Sequence, residues 1–249
     1  MIRGRKTKWA IPILAIISIE IFYIIILITG SSISNFFWEG TYMPTLLSFI
    51  PLALVLTIYF SWIKKWSFYG FNLQLKSESL VFFLPLILVI VILSNQDFSK
   101  ESFLMTTFLI AYAILISFVL LGIFIGIVVT TLLPLGNIAA ILASGILYSQ
   151  DGWFLLLTGN NLTETSVHIV LCFLLGIVLA QVFVITRNLY PLFVFQSLFS
   201  LINTMSIESF NLWREGLVIS FLAVTVIFLC FSIRKDESLV SRSFNESTL

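Results

Sequence analysis

Side chains that could bind a metal ion or transfer a proton are scarce in the apolar part of this chain. His168 is the only histidine, and no glutamate lies between Glu101 and Glu164. A catalytic zinc site generally needs about three ligands from His, Cys, Asp and Glu. It also needs a group that takes a proton from the metal-bound water. The segment between those two glutamates supplies almost none of these groups.

Glu20 is the most unusual acid, because it lies near the middle of the first apolar segment with no Lys or Arg at a similar depth. A charged side chain at the centre of a bilayer is costly, so such groups usually face the interior of a helix bundle and often mark a functional path. The structural alternative is a protonated Glu20 that hydrogen-bonds to a neighbouring helix. Both interpretations stay open at this point.

The composition predicts the elements that must position these residues. Hydrophobic residues make up 59% of the chain, charged residues 10%, and the mean hydropathy is +1.11. Such values are typical of an all-α, polytopic transmembrane bundle in contact with the lipid bilayer. The net charge of +1 argues against a nucleic-acid partner. No phosphate-binding glycine-rich loop is evident, and we expect no cofactor.

About 20 apolar residues cross a bilayer, and on that basis we predict about eight spans. They are placed at residues 9–29, 43–63, 79–94, 102–133, 137–150, 166–186, 191–206 and 213–233. We divide the chain into three N-terminal spans within 1–101, a membrane core at 102–233, and a disordered cytoplasmic tail at 234–249.

The distribution of positive charge predicts the orientation. Of the 13 Lys and Arg residues, all except Lys100 and Arg214 fall on one set of alternate loops. Cytoplasmic loops retain Lys and Arg, so we predict a multi-pass plasma-membrane protein with both termini in the cytoplasm. This orientation puts His168 at the outer end of the sixth span, where a lone histidine is more often solvated than a metal ligand.

Residues 138–152 read IAAILASGILYSQDG, and residues 172–203 read CFLLGIVLAQVFVITRNLYPLFVFQSLFSLIN. In the second stretch a glycine-bearing helix runs into a Thr-Arg turn, then an aromatic residue and a proline. The residues of this scaffold are Gly176, Thr186, Arg187, Tyr190 and Pro191. The segment from about 122 to 205 resembles the carboxy-terminal core of the CAAX protease and bacteriocin-processing (CPBP or Abi) family of intramembrane metalloproteases.

The catalytic motifs of that family are absent from the matching positions. Its Glu-Glu pair would fall near Phe124 and Ile125, and the arginine that follows would fall near Val129. Its Phe and His would fall at Tyr148 and Gly152, leaving Gln150 and Asp151 as the nearby polar groups. Its last histidine would fall at Gln196, whose amide is a poor zinc ligand. The resemblance therefore implies a degenerate member without catalytic residues or a bound metal.

Four uncharged polar residues on the best-matched helices remain as a candidate site: Gln181, Gln196, Ser200 and Asn203. The last three follow i, i+4 and i+7 spacing and so share one helix face. Interhelical hydrogen bonds, worth about 0.6–2 kcal/mol each, are the favoured interpretation. The alternative is a remnant of the pocket in which a catalytic metal would sit.

The resemblance implies an inactive relative that binds or regulates membrane proteins or peptides, for example in bacteriocin immunity or envelope regulation. Fold-level resemblance does not by itself give function. A transport component for a small solute or proton, with Glu20 on a polar path, is a second hypothesis. A protease with an unrecognised site is a third. The sequence does not indicate an oligomeric state.

Overall fold

The computed structural model describes residues 3–37, 43–72, 77–150, 152, 161–206 and 211–246. Within these ranges the regular structure is helical, and the only bridge outside helices pairs Phe98 with Ser206. The predicted all-α class is confirmed for this part of the chain.

Nine α-helices follow one another in this part of the chain. They are α1 (Arg3–Phe37), α2 (Met43–Trp62), α3 (Leu84–Leu93), α4 (Phe103–Leu120), α5 (Val128–Leu132), α6 (Asn137–Tyr148), α7 (Leu162–Thr186), α8 (Tyr190–Met205) and α9 (Leu212–Glu246). A 3₁₀ segment (Ser77–Phe83) leads into α3, and another (Leu133–Leu135) follows α5. A π-helical segment, Leu121–Ile127, joins α4 to α5.

Four stretches of helix are long and apolar enough to cross a membrane: Ala10–Thr29, Phe103–Leu135, Leu162–Thr186 and Leu212–Ile233. Shorter apolar helices occupy Ser48–Trp62, Leu80–Leu93 and Asn137–Tyr148. Large apolar side chains such as Ile58, Leu88 and Phe231 are exposed on the surface of the bundle. A soluble protein would hide most of these side chains, whereas lipid solvates them. The chain therefore forms a membrane-embedded helix bundle.

Helix α7 is the central element of the bundle. It packs against α6 on one side and α9 on another, while α4 packs against α2 and α8. The side chains from Leu175 to Phe183 on α7 are all buried. Asn161 begins this helix by accepting a hydrogen bond from the Thr163 N–H at 3.1 Å. Such a cap satisfies one of the backbone donors that a helix start leaves without a partner.

The turn between α7 and α8 contains or adjoins four of the five scaffold residues, namely Thr186, Arg187, Tyr190 and Pro191. Helix α7 ends where Arg187 adopts a left-handed conformation with φ of 53°. The Leu189 N–H then donates to the Gly70 carbonyl at 2.8 Å, and the Asn188 side-chain amide donates to the Asn72 carbonyl at 2.8 Å. The loop after α2 therefore holds this turn in place. Partial burial lowers the pKa of the Arg187 guanidinium below its ordinary value.

The first part of the predicted tail, residues 234–249, is described as a continuation of helix α9, and the predicted disorder and cytoplasmic position of the tail stay predictions. Helix α9 continues through Ile233 to Glu246 without interruption. No glycine or proline lies between Arg234 and Glu246, so nothing in the local sequence ends a helix that the membrane span has already nucleated.

Candidate functional site

The position matched to the family's Glu-Glu pair lies in the π-helical segment, whose seven residues are all buried. Phe124 is 1% exposed and forms edge-to-face contacts with Tyr23 of α1 and Tyr148 of α6. The ring centroids are 5.3 Å and 6.4 Å apart, respectively. These distances lie within the range of favourable aromatic pairs. An aromatic cluster therefore fills the place where the resemblance puts metal ligands.

The neighbouring positions are equally apolar. Ile125 and Val129 are both 0% exposed. The hydroxyl of Ser144 on α6 donates to the Phe124 carbonyl at 2.9 Å, which satisfies a backbone acceptor inside the bundle. π-Helical turns often occur at functional sites, but this one presents only hydrocarbon and backbone groups. The residues at this place do not fit a catalytic zinc ion.

The second matched position lies where α6 and α7 approach most closely. A methyl group built on Gly176 would lie 2.6 Å from Tyr148 Cβ and 3.1 Å from the Gly145 Cα. One built on Gly145 would lie 2.7 Å from Ile177 Cγ1. Only glycine allows two helix backbones to come this close. The predicted positions Phe124 and Tyr148 thus meet, whereas Asp151 lies outside the described residues.

The third matched position, Gln196, is buried at 2% exposure on α8. Its side-chain amide donates to the Ser200 hydroxyl at 3.4 Å, one helical turn away. The Gln196 carbonyl oxygen is also buried, and no protein donor reaches it within the part of the chain that is described. Asn203, the last residue of this face, is exposed. Polar character therefore runs along α8 from its buried middle to its exposed end.

The hydrogen-bond partners of Gln181 lie on another helix, α9. Its amide donates to the Val226 carbonyl at 3.2 Å and to the Cys230 sulfur at 3.1 Å, both on α9. This is an interhelical hydrogen bond inside the bundle, the use favoured by the sequence. The hydrogen bond of Gln196, in contrast, stays within α8. Hydrogen bonding does not gather the four predicted residues into one pocket.

Glu20 is partly buried on α1, with its Oε1 atom shielded from solvent. It lies one turn before Tyr23, which is fully buried against Phe124. The intramembrane acid therefore lies on the helix that packs against the aromatic cluster. Because a carboxylate in contact with lipid is costly, partial burial of Glu20 in the bundle is expected.

A polar cavity of about 200 Å³ lies where the ends of four helices meet. We call it the four-helix cavity. Residues of the loop after α3, of α7, of the end of α8 and of α9 line it, together with apolar side chains. Its polar lining is Gln96, Glu164, His168, Asn203, Ser206, Arg214 and Glu215. Asn203 is the one predicted site residue that reaches it.

Hydrogen bonds hold the walls of the four-helix cavity together. Ser206 donates to the Gln96 side-chain carbonyl at 2.9 Å, and the Gln96 amide donates to the Ile202 carbonyl at 3.3 Å. Arg214 and Glu215 form an ion pair at 3.8 Å, with side chains only 11% and 19% exposed. The two hydrogen bonds join the loop after α3 to the end of α8 on one wall of the cavity.

The described residues contain no group of three or more His, Cys, Asp and Glu placed to hold a metal ion. The chain matches no known protein family, no curated protein and no solved structure.

Proposed function

We propose that this chain is a catalytically inactive relative of the CPBP intramembrane proteases that works by binding or regulating membrane-protein or peptide partners. One observation carries the proposal. The places where that resemblance puts the Glu-Glu pair and the two histidines are all buried, and they hold Phe124, Ile125, Gly152 and Gln196. None of them ligates zinc or takes up a proton at neutral pH.

The proposal includes a topology and a location. Eight crossings with both termini in the cytoplasm of a bacterial plasma membrane agree with the Lys and Arg distribution. Bacteriocin immunity and envelope regulation are examples of such a role, because each requires a surface that binds a partner and no catalytic step.

A transport component is the second candidate, because Glu20 is an intramembrane acid whose Oε1 atom is buried. A proton path requires its carboxyl group to change protonation, whereas a structural hydrogen bond needs only a polar group of the same shape. Replacing Glu20 therefore separates the two classes of function.

We expect Glu20→Gln to retain the thermal stability of the purified protein in detergent and its capture of partners from native membranes. Glu20→Leu should lower the free energy of unfolding by about 0.6–2 kcal/mol, because leucine cannot make the interhelical hydrogen bond that we expect of Glu20. Both quantities can be measured on the same preparations, by thermal unfolding and by quantitative mass spectrometry.

The matched functional assay uses proteoliposomes that contain a pH-sensitive dye. A binding protein should leave an imposed pH gradient unchanged, both in the wild type and in Glu20→Gln. Wild-type protein that dissipates the gradient, together with a stably folded Glu20→Gln protein that does not, would contradict binding and establish proton transport.

A further inference from the structure

The charge on the four-helix cavity is not balanced by its own residues. Arg214 and Glu215 pair with each other at 3.8 Å and are largely shielded from solvent. Glu164 remains, with an exposed side chain whose Oε1 accepts a hydrogen bond from the Asn161 amide at 3.2 Å. The lining therefore holds two carboxylates, Glu164 and Glu215, and one guanidinium, Arg214, which is an excess of one acid over its bases. A cationic group is the complementary ligand.

The surroundings of the cavity also carry an excess of negative charge. The Ser99 N–H donates to the Met205 carbonyl at 2.9 Å, which places the loop after α3 beside the end of α8. This loop exposes Asp97 and Glu101 together with one cation, Lys100. Such an excess of one sign raises the local concentration of oppositely charged ligands.

A larger groove of about 890 Å³ adjoins the cavity and shares Arg214 with it. Its lining combines two amides, Asn95 and Asn211, with apolar side chains that include Trp213 and Leu217. Gly216 lies in this lining, and a methyl group built on it would meet no atom within 4 Å. The groove can therefore accept apolar side chains next to the acidic cavity.

We propose that the four-helix cavity binds one ammonium or guanidinium group of a cationic, amphipathic peptide, whose apolar residues lie in the adjoining groove. The proposal rests on the proposed function, since it specifies the partner of a binding protein. The Glu164 carboxylate and the Asn203 side-chain carbonyl accept hydrogen bonds from the bound cation. A cavity of about 200 Å³ holds a single such group and not a whole ligand, since functional pockets for complete small molecules are about 300–1,000 Å³.

The test uses the full-length protein in nanodiscs of phosphatidylcholine, so that the lipid adds no net charge. The probe is a fluorescent Lys-Leu-Leu-Lys amide, with Glu-Leu-Leu-Glu amide as the charge-reversed control, and binding is followed by fluorescence anisotropy. We expect Glu164→Gln to weaken binding of the lysine peptide about tenfold, as loss of a charge-assisted hydrogen bond does. Glu101→Gln, an exposed acid outside the cavity, should change it less than about twofold.

Asn203→Leu supplies a second variant, because it removes a cavity acceptor without changing the charge. It should also weaken binding of the lysine peptide, and thermal unfolding verifies that each variant is folded. Equal losses in Glu164→Gln and Glu101→Gln would mean diffuse surface attraction and would overturn the cavity site. Spermidine that competes as well as the peptide would overturn the peptide as occupant. Absence of peptide binding in a metal-free, inactive protein would overturn this inference alone, whereas bound zinc would overturn the proposed function.

Discussion

Gly176→Ala is expected to lower the free energy of unfolding by about 2–3 kcal/mol, near the upper part of the range for overpacked cores. The added methyl group would lie 2.6 Å from Tyr148 Cβ and 3.1 Å from the Gly145 Cα. The second of these is a backbone atom, so side-chain rotation cannot relieve the clash. Helices α6 and α7 must move apart, and the contact of Tyr148 with Phe124 depends on their spacing. Unfolding in detergent, followed by circular dichroism, measures the effect.

Gly216→Ala is the matched control, since it makes the same substitution within a helix. A methyl group at this position would meet nothing within 4 Å. Alanine reduces the freedom of the unfolded chain, so this variant should be neutral or more stable by up to about 1 kcal/mol. Equal stability of Gly176→Ala and Gly216→Ala would contradict the close packing of α6 on α7.

Phe124→Ala should be the most destabilising single truncation in the aromatic cluster. A buried Phe→Ala change costs about 3–5 kcal/mol in soluble proteins, from lost transfer energy and from the cavity that remains. Lipid is as apolar as the protein interior, so the transfer contribution to this cost is small in a membrane protein. The cavity and the lost ring contacts remain, and we therefore expect a loss of stability near 3 kcal/mol. The variant removes the ring contacts to Tyr23 and Tyr148 together. Unfolding in detergent again provides the measurement.

Phe228→Ala provides the comparison for the same chemical change at a lipid-facing position. Phe228 is 52% exposed on α9. Lipid chains fill the space that the ring leaves, so the cost should stay below about 1 kcal/mol. If Phe124→Ala were no more destabilising than Phe228→Ala, the place matched to the metal ligands would not be a packed core.

The helical elements could be predicted from the sequence because apolar runs and charged ends are local properties. The Asn161 cap and the Arg187 turn also lie where local sequence places a boundary. The π-helical turn could not be predicted, since Gly122 and Gly126 at a spacing of four suit an α-helix equally well.

The candidate sites were predictable only in part. The burial of Gln181 and Gln196 could be predicted, because both lie within apolar helices. Their different hydrogen-bond partners could not be predicted from the sequence. The four-helix cavity has no local signature, because its walls come from segments far apart in sequence. Ser206 and Gln96, for example, are 110 positions apart and yet share a hydrogen bond. The signal that could have indicated it is the excess of acids on the loops that carry few Lys and Arg residues.

The metal content of the purified protein tests the central claim most directly. Protein extracted in mild detergent without chelators should contain well under one zinc per chain by inductively coupled plasma mass spectrometry. The reason is that no adequate set of ligands stands at the matched positions Phe124, Ile125, Gly152 and Gln196. The same preparation should show no chelator-sensitive cleavage of membrane peptides. One zinc per chain, with cleavage that a chelator abolishes, would contradict an inactive binding protein and establish a protease whose site lies elsewhere in the chain.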